Sequence, residues 1–355
     1  MKMSLLQEKT NTNGIKQREE WIDYLRGIGI VLMVTGHASI WYPLHKWIFG
    51  FHMPLFFVLS GFLFNRQKWS ERGLGKFAAA RFRSYIIPYF LWCAICFIIN
   101  LPLFYINNRY SNMLLVAIKN IGWIAFSIKV DGVFVPLNCT ALWFLTCFFL
   151  SQLAFYLLVN CKPLWQCVLA AVFIAINYVM NYLKTPVLPW HLDVALIGSI
   201  FILIGYHIKE KRLLDKIQTI IVPVLMIITA SVIIMWNDKT DMYFRQYGKD
   251  LLIFMIQASL MCCALMWVCR SIHILYLKNL FCIFGRYSII AMALNVATNL
   301  YARRVYEFVG RRIGVNLRWV EYPLLFISLA FYFLVILLYQ KLVAKNEKFS
   351  ILTGK

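Results

Sequence analysis

Arg26 and His37, two ionisable residues in the first apolar stretch of the chain, could carry out chemistry together. They are eleven positions apart, which is close to three turns of α-helix, so both would lie on one face about 16 Å apart along the axis. Arg26 suits a phosphate-bearing ligand, and a neutral His37 can take a proton from a hydroxyl group. Taken singly, Arg26 fits an arginine that reaches the membrane surface, with Asp23 as its partner, and His37 fits a packed core histidine. Their alignment on one face favours function, because ionisable groups are costly at membrane depth.

Two further histidines, His45 and His52, follow closely. Three histidines could suggest a metal site, but no carboxylate or cysteine joins them at ligand spacing, so we predict no metal. Two residues, His52 and Trp143, are kept as candidates that could line the site near the substrate that carries the hydroxyl group.

Arg81 and Arg83 stand at the entrance to a later apolar stretch, at the end of a basic segment that begins at Arg66. Basic residues in such segments usually hold the cytoplasmic side of a membrane protein. Arg81 and Arg83 could in addition clamp the phosphates of a nucleotide-like ligand.

The composition indicates a membrane protein that crosses the bilayer several times. Of its 355 residues, 61% are hydrophobic and 14% are charged, whereas about a quarter are charged in soluble domains. Lysine and arginine number 36 against 15 acidic residues, a net charge of +21. These basic residues lie between apolar stretches and not in one patch, so we expect no nucleic-acid partner. The first apolar stretch has no small-residue cleavage site, and we expect it to stay as an anchor.

Apolar stretches of spanning length predict an all-α fold with about ten transmembrane helices. They lie near residues 23–41, 47–64, 84–105, 141–159, 164–182, 192–208, 217–236, 250–269, 280–300 and 321–339. Most lysines and arginines then fall on one side, which predicts that both termini are cytoplasmic. Five arginines in a predicted outside loop at 303–318 run against this rule, and their role is open.

The apolar segment near 113–128 is interrupted by Lys119 and Asn120. We expect it to be an outside interfacial or re-entrant segment and not a span. The predicted organisation is a cytoplasmic tail at 1–20, one transmembrane domain at 21–340 and a second cytoplasmic tail at 341–355.

Several short motifs occur in a fixed order across residues 21–145. They are Asp23-x-x-Arg26-Gly, His37 after ten intervening residues, His52-Met-Pro-Leu-Phe-Phe-Val-Leu-Ser-Gly61, Arg81 followed by Pro88-Tyr, and Leu142-Trp-Phe-Leu145. Together they resemble the membrane-bound acyltransferase-3 family, which includes O-acetyltransferases of bacterial surface polysaccharides and fucose 4-O-acetylase-like sequences. The resemblance extends more loosely through Leu188-Pro-Trp-His191 and Phe284-Gly-Arg-Tyr-Ser288.

This resemblance implies an integral membrane O-acyltransferase of the bacterial cytoplasmic membrane. Such proteins take an acyl group, usually acetyl, from cytoplasmic acyl-CoA as co-substrate, with no bound cofactor, and pass it to a hydroxyl of an extracytoplasmic saccharide or lipid-linked glycan. The family's arginine and histidine correspond to Arg26 and His37, with Asp23 beside them, and Arg26, Arg81 and Arg83 are the expected acyl-CoA ligands. Ser84 stands where the family's Arg-x-x-Arg motif has its second arginine, and Asn295 stands where many members have a histidine. We assign Asn295 no catalytic role from the sequence.

A transporter or flippase for a lipid-linked sugar is the alternative function, because it would also place ionisable residues inside a helix bundle. Consumption of an acyl thioester separates the two, since a transporter leaves no covalent product. The identity of the acceptor, the group that stabilises the oxyanion, the choice between His37 as base and as acyl relay, and the oligomeric state stay open at this stage.

Overall fold

The computed structural model of the protein describes residues 20–38, 40–107, 121–122, 124–127, 140–271, 277–313 and 321–354. Within these residues the fold is helical apart from one very short hairpin. The helices, in chain order, are α1 (Glu20–His37), α2 (Tyr42–Phe49), α3 (His52–Phe62), α4 (Arg66–Arg81), α5 (Ile87–Asn107), α6 (Trp143–Asn160), α7 (Pro163–Tyr182), α8 (Leu192–Glu210), α9 (Ile221–Trp236), α10 (Leu251–Ser271), α11 (Lys278–Arg286), α12 (Ser288–Ile313) and α13 (Glu321–Lys345).

Shorter elements join these helices. A π-helical turn, Phe82–Ile86, connects α4 to α5, and a 3₁₀ segment, Glu347–Thr353, follows α13. Strands β1 (Thr240–Asp241) and β2 (Gln246–Tyr247) form an antiparallel hairpin between α9 and α10.

The described residues contain six helices that are long and apolar enough to cross a membrane, or seven if the bent pair α11 and α12 forms one span. This confirms a helical fold with several candidate membrane spans. Helices overlap all ten predicted intervals, but several do not meet this standard. Helix α1 carries three charged residues, and α9 has 16 residues. Helix α3 has only 11 residues, because the helical conformation is interrupted at Gly50–Phe51 before it. The count of ten and the side of the membrane on which each loop lies stay predictions.

The bundle has a protein-buried centre and a periphery. In α6, 72% of the apolar window is buried inside the protein, and in Pro189–Glu210, which ends in α8, 78% is buried. Helix α7 is only 11% buried although it is equally apolar. A helix that is apolar all round is either a core helix or a membrane span at the edge of the protein, and these values place α6 and α8 at the centre of the bundle and α7 at its periphery.

Three predicted boundaries differ from the structure. Residues 65–83, which fall between two of the predicted spans, are mostly the helix α4, which changes direction at Gly73 (φ +78°). The predicted span 280–300 is broken between Arg286 and Ser288 by a bend of 84°. The predicted loop 303–318 is wrong for its first part, because α12 continues to Ile313. The arginines at 303, 304, 311 and 312 therefore belong to a helix, and residues 314–320 lie outside the described part of the chain.

Most of the predicted interfacial segment 113–128 lies outside the described residues. Its described end packs on the bundle, where Tyr89 donates to the Ile124 carbonyl at 2.7 Å and Trp190 donates to the Ala125 carbonyl at 2.7 Å. At the other end of the chain, the segment after α13 is held by the indole of Trp92, which donates to the Leu352 carbonyl at 2.8 Å. The tail at 1–19 is outside the described residues, and the domain boundaries stay predictions.

Candidate functional site

A cavity of about 230 Å³ lies between α1, α3, α6, α11 and α12. One part of its wall is polar and cationic, and the other part is apolar. The polar lining residues include Arg26, Ser60, Ser84, Arg286, Ser288 and Thr353. The apolar lining residues include Ile30, Met33, Met53, Phe56, Phe144, Leu145, Phe148, Ile289 and Met292.

A single buried carboxylate organises the cationic part of the cavity. Asp23 is fully buried, and its Oδ2 accepts from Nε of Arg286 at 2.9 Å. Its Oδ1 lies 3.9 Å from Nη1 of Arg26. The Arg26 and Arg286 side chains keep 31% and 44% of their surface exposed. Two guanidinium groups and one carboxylate leave a net positive charge facing the cavity, which suits an anionic ligand.

Close packing of two helices brings these groups together. A Cβ atom added to Gly27 would lie 1.9 Å from the Phe281 carbonyl oxygen, and one added to Gly285 would lie 1.9 Å from the Asp23 carbonyl oxygen. The two glycines thus let the backbones of α1 and α11 touch. Because α11 ends at Arg286, this contact fixes the second guanidinium beside Asp23.

The sequence did not single out Arg286 as a ligand-binding residue. It lies 263 positions from Asp23, and the straight helix predicted for 280–300 gave it no defined partner. The available signal was a second cation inside an apolar stretch, where an unpaired charge is costly.

The apolar part of the cavity ends at a group of methionines, Met33, Met53 and Met292. Methionine side chains are flexible and fill irregular spaces. His37 is one helical turn beyond Met33 on α1, is exposed, and does not line the cavity. Met33 therefore stands between the cavity and His37.

The other two histidines surround the same aromatic ring as His37. The centroid of the Phe49 ring lies 5.7 Å from that of His37, 4.1 Å from that of His45 and 4.9 Å from that of His52. His52 is buried and its Nδ1 lies 2.9 Å from the Ile48 carbonyl oxygen. A carbonyl only accepts, so Nδ1 carries the proton and Nε2 keeps its lone pair. The part of the chain that the structure describes holds no group of three His, Cys, Asp or Glu residues arranged for a metal.

The remaining predicted residues lie outside the cavity wall. The guanidinium carbon of Arg81 lies 4.9 Å from the centre of the Phe77 ring and 5.5 Å from that of Trp69, and Arg83 is exposed. Ser84, which follows Arg83 in the chain, does line the cavity. Binding of acyl-CoA by Arg81 and Arg83 stays a prediction, and the structure offers Arg286 as the cation that meets Arg26.

Trp143 is buried at the start of α6, next to Phe144 of the cavity wall. Its ring centroid lies 4.6 Å from that of His191 and 5.5 Å from that of Tyr243. Trp143 thus links the cavity wall to the loops before α8 and α10. In strand β1 of the hairpin, burial raises the pKa of Asp241 to about 6 against the smaller opposing effects of the Tyr243 amide and Lys239.

Comparison with known proteins adds to this geometry. The model of a family described as an acyltransferase domain matches residues 19–336. The nodulation protein NolL of Mesorhizobium japonicum is 24% identical over 246 residues, which cover 65% of this chain and 60% of that protein. The nodulation protein NolL of Sinorhizobium fredii is 31% identical over 93 residues, which cover 23% of this chain and 25% of that protein. The chain thus spans less than two thirds of the length of these relatives, and no solved structure matches it.

The family match covers nearly the whole chain, including α1 with Arg26 and His37 and the bent pair α11 and α12 with Arg286. The protein therefore belongs to the family described as an acyltransferase domain.

Proposed function

We propose that the protein transfers an acyl group, most simply acetyl, from cytoplasmic acyl-CoA to a hydroxyl of an extracytoplasmic saccharide or lipid-linked glycan. The observation that carries this proposal is the cavity. Two guanidinium groups lie at one end of it, and His37 lies one helical turn beyond its opposite, apolar end. Family membership supports acyl transfer, and this arrangement supports the choice of donor and the direction of transfer.

The cationic part of the cavity suits the phosphates of coenzyme A. Arg26 and Arg286 face the cavity while Asp23 fixes both from behind. Guanidinium groups bind phosphate through paired hydrogen bonds. The hydroxyl groups of Ser60, Ser84 and Ser288 line the same region and can donate to phosphate oxygens.

The length of the donor also fits α1. A pantetheine arm has the backbone length of four to five extended residues, about 15 Å. The axial distance from Arg26 to His37 is about 16 Å, given 1.5 Å per residue. With its phosphates at Arg26 and Arg286, acyl-CoA would run along the apolar wall and bring its thioester to the level of His37. Met33 has to move for this contact, and a flexible methionine allows it.

At that position His37 acts as the general base. The acceptor oxygen attacks the thioester carbonyl carbon, its proton moves to His37, and the carbonyl electrons move to oxygen. When the intermediate collapses, the carbon–sulfur bond breaks and coenzyme A leaves with the proton from His37. The products are an ester and free coenzyme A, and no metal or redox partner is required.

The acceptor approaches from the side on which His37 is exposed. With a cytoplasmic N-terminus, this is the outer side of a bacterial inner membrane. The aromatic group formed by Trp143, His191 and Tyr243 lies at the same end of the bundle as the hairpin, and aromatic faces suit a sugar ring. His52, held behind Phe49, is a further acceptor-side residue in this proposal.

A transfer assay in lipid nanodiscs tests the proposal. Purified protein receives labelled acetyl-CoA and a glycolipid extract from its host membrane. We expect labelled glycan and an equal amount of free coenzyme A, and we expect His37→Gln to abolish both. Failure of the wild-type protein to consume any acyl-CoA in the presence of acceptor would sink the proposal, as would full activity of His37→Gln.

A further inference from the structure

The geometry points to Asn295 of α12 as the hydrogen-bond donor that stabilises the oxyanion of the acyl-transfer intermediate. This inference rests on the proposed function and assigns a residue to a role that the sequence left open. Acyl transfer needs such a donor, because negative charge develops on the carbonyl oxygen when the acceptor attacks. The evidence that Asn295 is this donor is the way in which hydrogen bonds between side-chain amide groups orient it.

The orientation of the amide chain follows from a backbone carbonyl. Nδ2 of Asn299 lies 3.5 Å from the carbonyl oxygen of His37. A carbonyl only accepts, so the Asn299 atom facing it is the NH₂ group. The same NH₂ group lies 3.3 Å from Oδ1 of Asn295, which assigns oxygen to that side of Asn295. The Tyr332 hydroxyl lies 3.5 Å from this oxygen and can donate to it as well.

Consequently the NH₂ group of Asn295 points to the opposite side, toward Met33. Its contact there is a thioether sulfur at 3.7 Å, which is a weak acceptor. Asn295 is fully buried, and a buried donor without a strong acceptor costs about 1–3 kcal/mol. Across the described residues this Met33 contact is the single hydrogen bond that the NH₂ group makes. The protein thus keeps a fixed, weakly used donor inside the membrane.

The location of this donor matches the place where the thioester is needed. Met292, one turn before Asn295 on α12, and Met33, the contact of its NH₂ group, both line the apolar end of the cavity. His37 is one turn beyond Met33, and its own carbonyl anchors the amide chain through Asn299. When Met33 gives way to the thioester, the Asn295 NH₂ group meets the carbonyl oxygen in its place.

In the reaction, Asn295 neither gives up nor gains a proton. The acceptor oxygen bonds to the carbonyl carbon, and His37 takes the proton. The carbonyl oxygen becomes negative and accepts a hydrogen bond from Nδ2 of Asn295, which is stronger than the bond in the neutral thioester. Collapse of the intermediate restores the carbonyl and expels coenzyme A. Because the gain is confined to the transition state, its loss should lower kcat more than it changes KM.

The test compares Asn295→Leu and Asn295→Asp with the wild-type protein in nanodiscs. For Asn295→Leu we expect kcat to fall by about 10²–10³-fold, with the KM for acetyl-CoA changed by less than about threefold. Asn100→Leu is the matched control. Asn100 is a second asparagine buried in a helix, α5, and both of its amide atoms lack a hydrogen-bond partner in the described residues. We expect this variant to keep wild-type kcat.

Asn295→Asp provides a second readout, taken over the pH range in which thermal unfolding shows that the variant stays folded. A carboxylic acid that is protonated donates a hydrogen bond in place of the amide, and a carboxylate cannot. We therefore expect the variant to keep part of its activity at low pH and to lose it as pH rises through the carboxyl pKa. The wild-type protein should lack this additional loss, since an amide does not titrate.

Three results would overturn the inference while leaving the proposed function intact. They are wild-type kcat in folded Asn295→Leu, a change confined to the KM for acetyl-CoA, or the wild-type pH profile in Asn295→Asp. Should Asn295→Leu fail to fold, the pH profile of Asn295→Asp decides, because it compares one preparation with itself. Absence of acetyl transfer by the wild-type protein would instead reject the proposed function.

Discussion

At the scale of single residues, the site combines groups that the sequence shows with groups that only the fold brings together. Arg26 and His37 are eleven positions apart, so helix geometry alone predicted a shared face. Arg286 depends on a contact between α1 and α11 across 263 positions, and no local pattern encodes that contact. Asp23 takes part in both kinds of contact, since it was predicted as the partner of Arg26 and also binds Arg286.

The role of Arg286 can be measured against that of Arg83. Arg286 lines the cavity and Arg83 does not. A hydrogen bond to a charged group contributes about 1.5–3 kcal/mol, so Arg286→Gln should raise the KM for acetyl-CoA roughly 10–100-fold. Arg83→Gln should change it by less than about threefold, and steady-state kinetics in nanodiscs compare the two. An Arg83→Gln variant with the larger defect would favour the sequence-based assignment of donor binding.

At the scale of elements, the breaks in the helices are what build the site. Apolar stretches predicted where helices lie, but not the break at Gly50–Phe51 that turns the histidines around Phe49. Nor did they predict the 84° bend after α11 that ends the helix at Arg286. Hydrophobic patterns are insensitive to such breaks, because the residues on both sides are apolar.

The contact between α1 and α11 gives a second prediction. In Gly285→Ala, the new Cβ meets the Asp23 backbone oxygen, which cannot move aside as a side chain could. We expect a loss of about 1–3 kcal/mol of stability together with weaker donor binding, since Arg286 moves away from Asp23. Thermal unfolding and donor titration measure the two effects. Gly75→Ala is the control, because a Cβ at Gly75 meets no atom within 4 Å, and an unchanged Gly285→Ala variant would contradict the close contact.

The hairpin between α9 and α10 gives a pH-dependent prediction. Burial raises the pKa of Asp241 from 3.8 to about 6. An acid whose pKa is higher in the folded state than in the unfolded state stabilises the folded state least when it is ionised. The loss of folding stability therefore begins above the unfolded-state pKa and is complete above about pH 6. Asn at position 241 removes the charge and keeps an oxygen for the Tyr243 amide, which donates to Asp241 Oδ1 at 3.0 Å. Asp241→Asn should therefore raise the Tm at about pH 8 and leave it unchanged near pH 4. An equal shift at both pH values would show that ionisation of Asp241 is not the cause.

At the scale of the whole molecule, the sequence predicted a helical membrane protein and the family to which it belongs. The predicted count of ten spans stays a prediction, because within the described residues six or seven helices meet the length and composition criteria, α2 and α3 are separate helices, and α1 carries three charged residues. The sequence also did not predict which helices lie at the centre of the bundle and which lie at its periphery. Helices α6 and α7 are both apolar along their length, and only the folded bundle places one at the centre and the other at the boundary.

In the proposed function, the acyl group crosses the membrane from a donor on one side to an acceptor on the other. Sealed vesicles of both orientations, containing the protein and its glycolipid acceptor, test it with labelled acetyl-CoA added outside. In inside-out vesicles we predict labelled glycan in the lumen, where it is protected from an added esterase. In right-side-out vesicles we predict no labelling. The His37→Gln variant should label glycan in neither kind of vesicle. Labelling of right-side-out vesicles by external donor, or wild-type labelling by His37→Gln, would contradict the account.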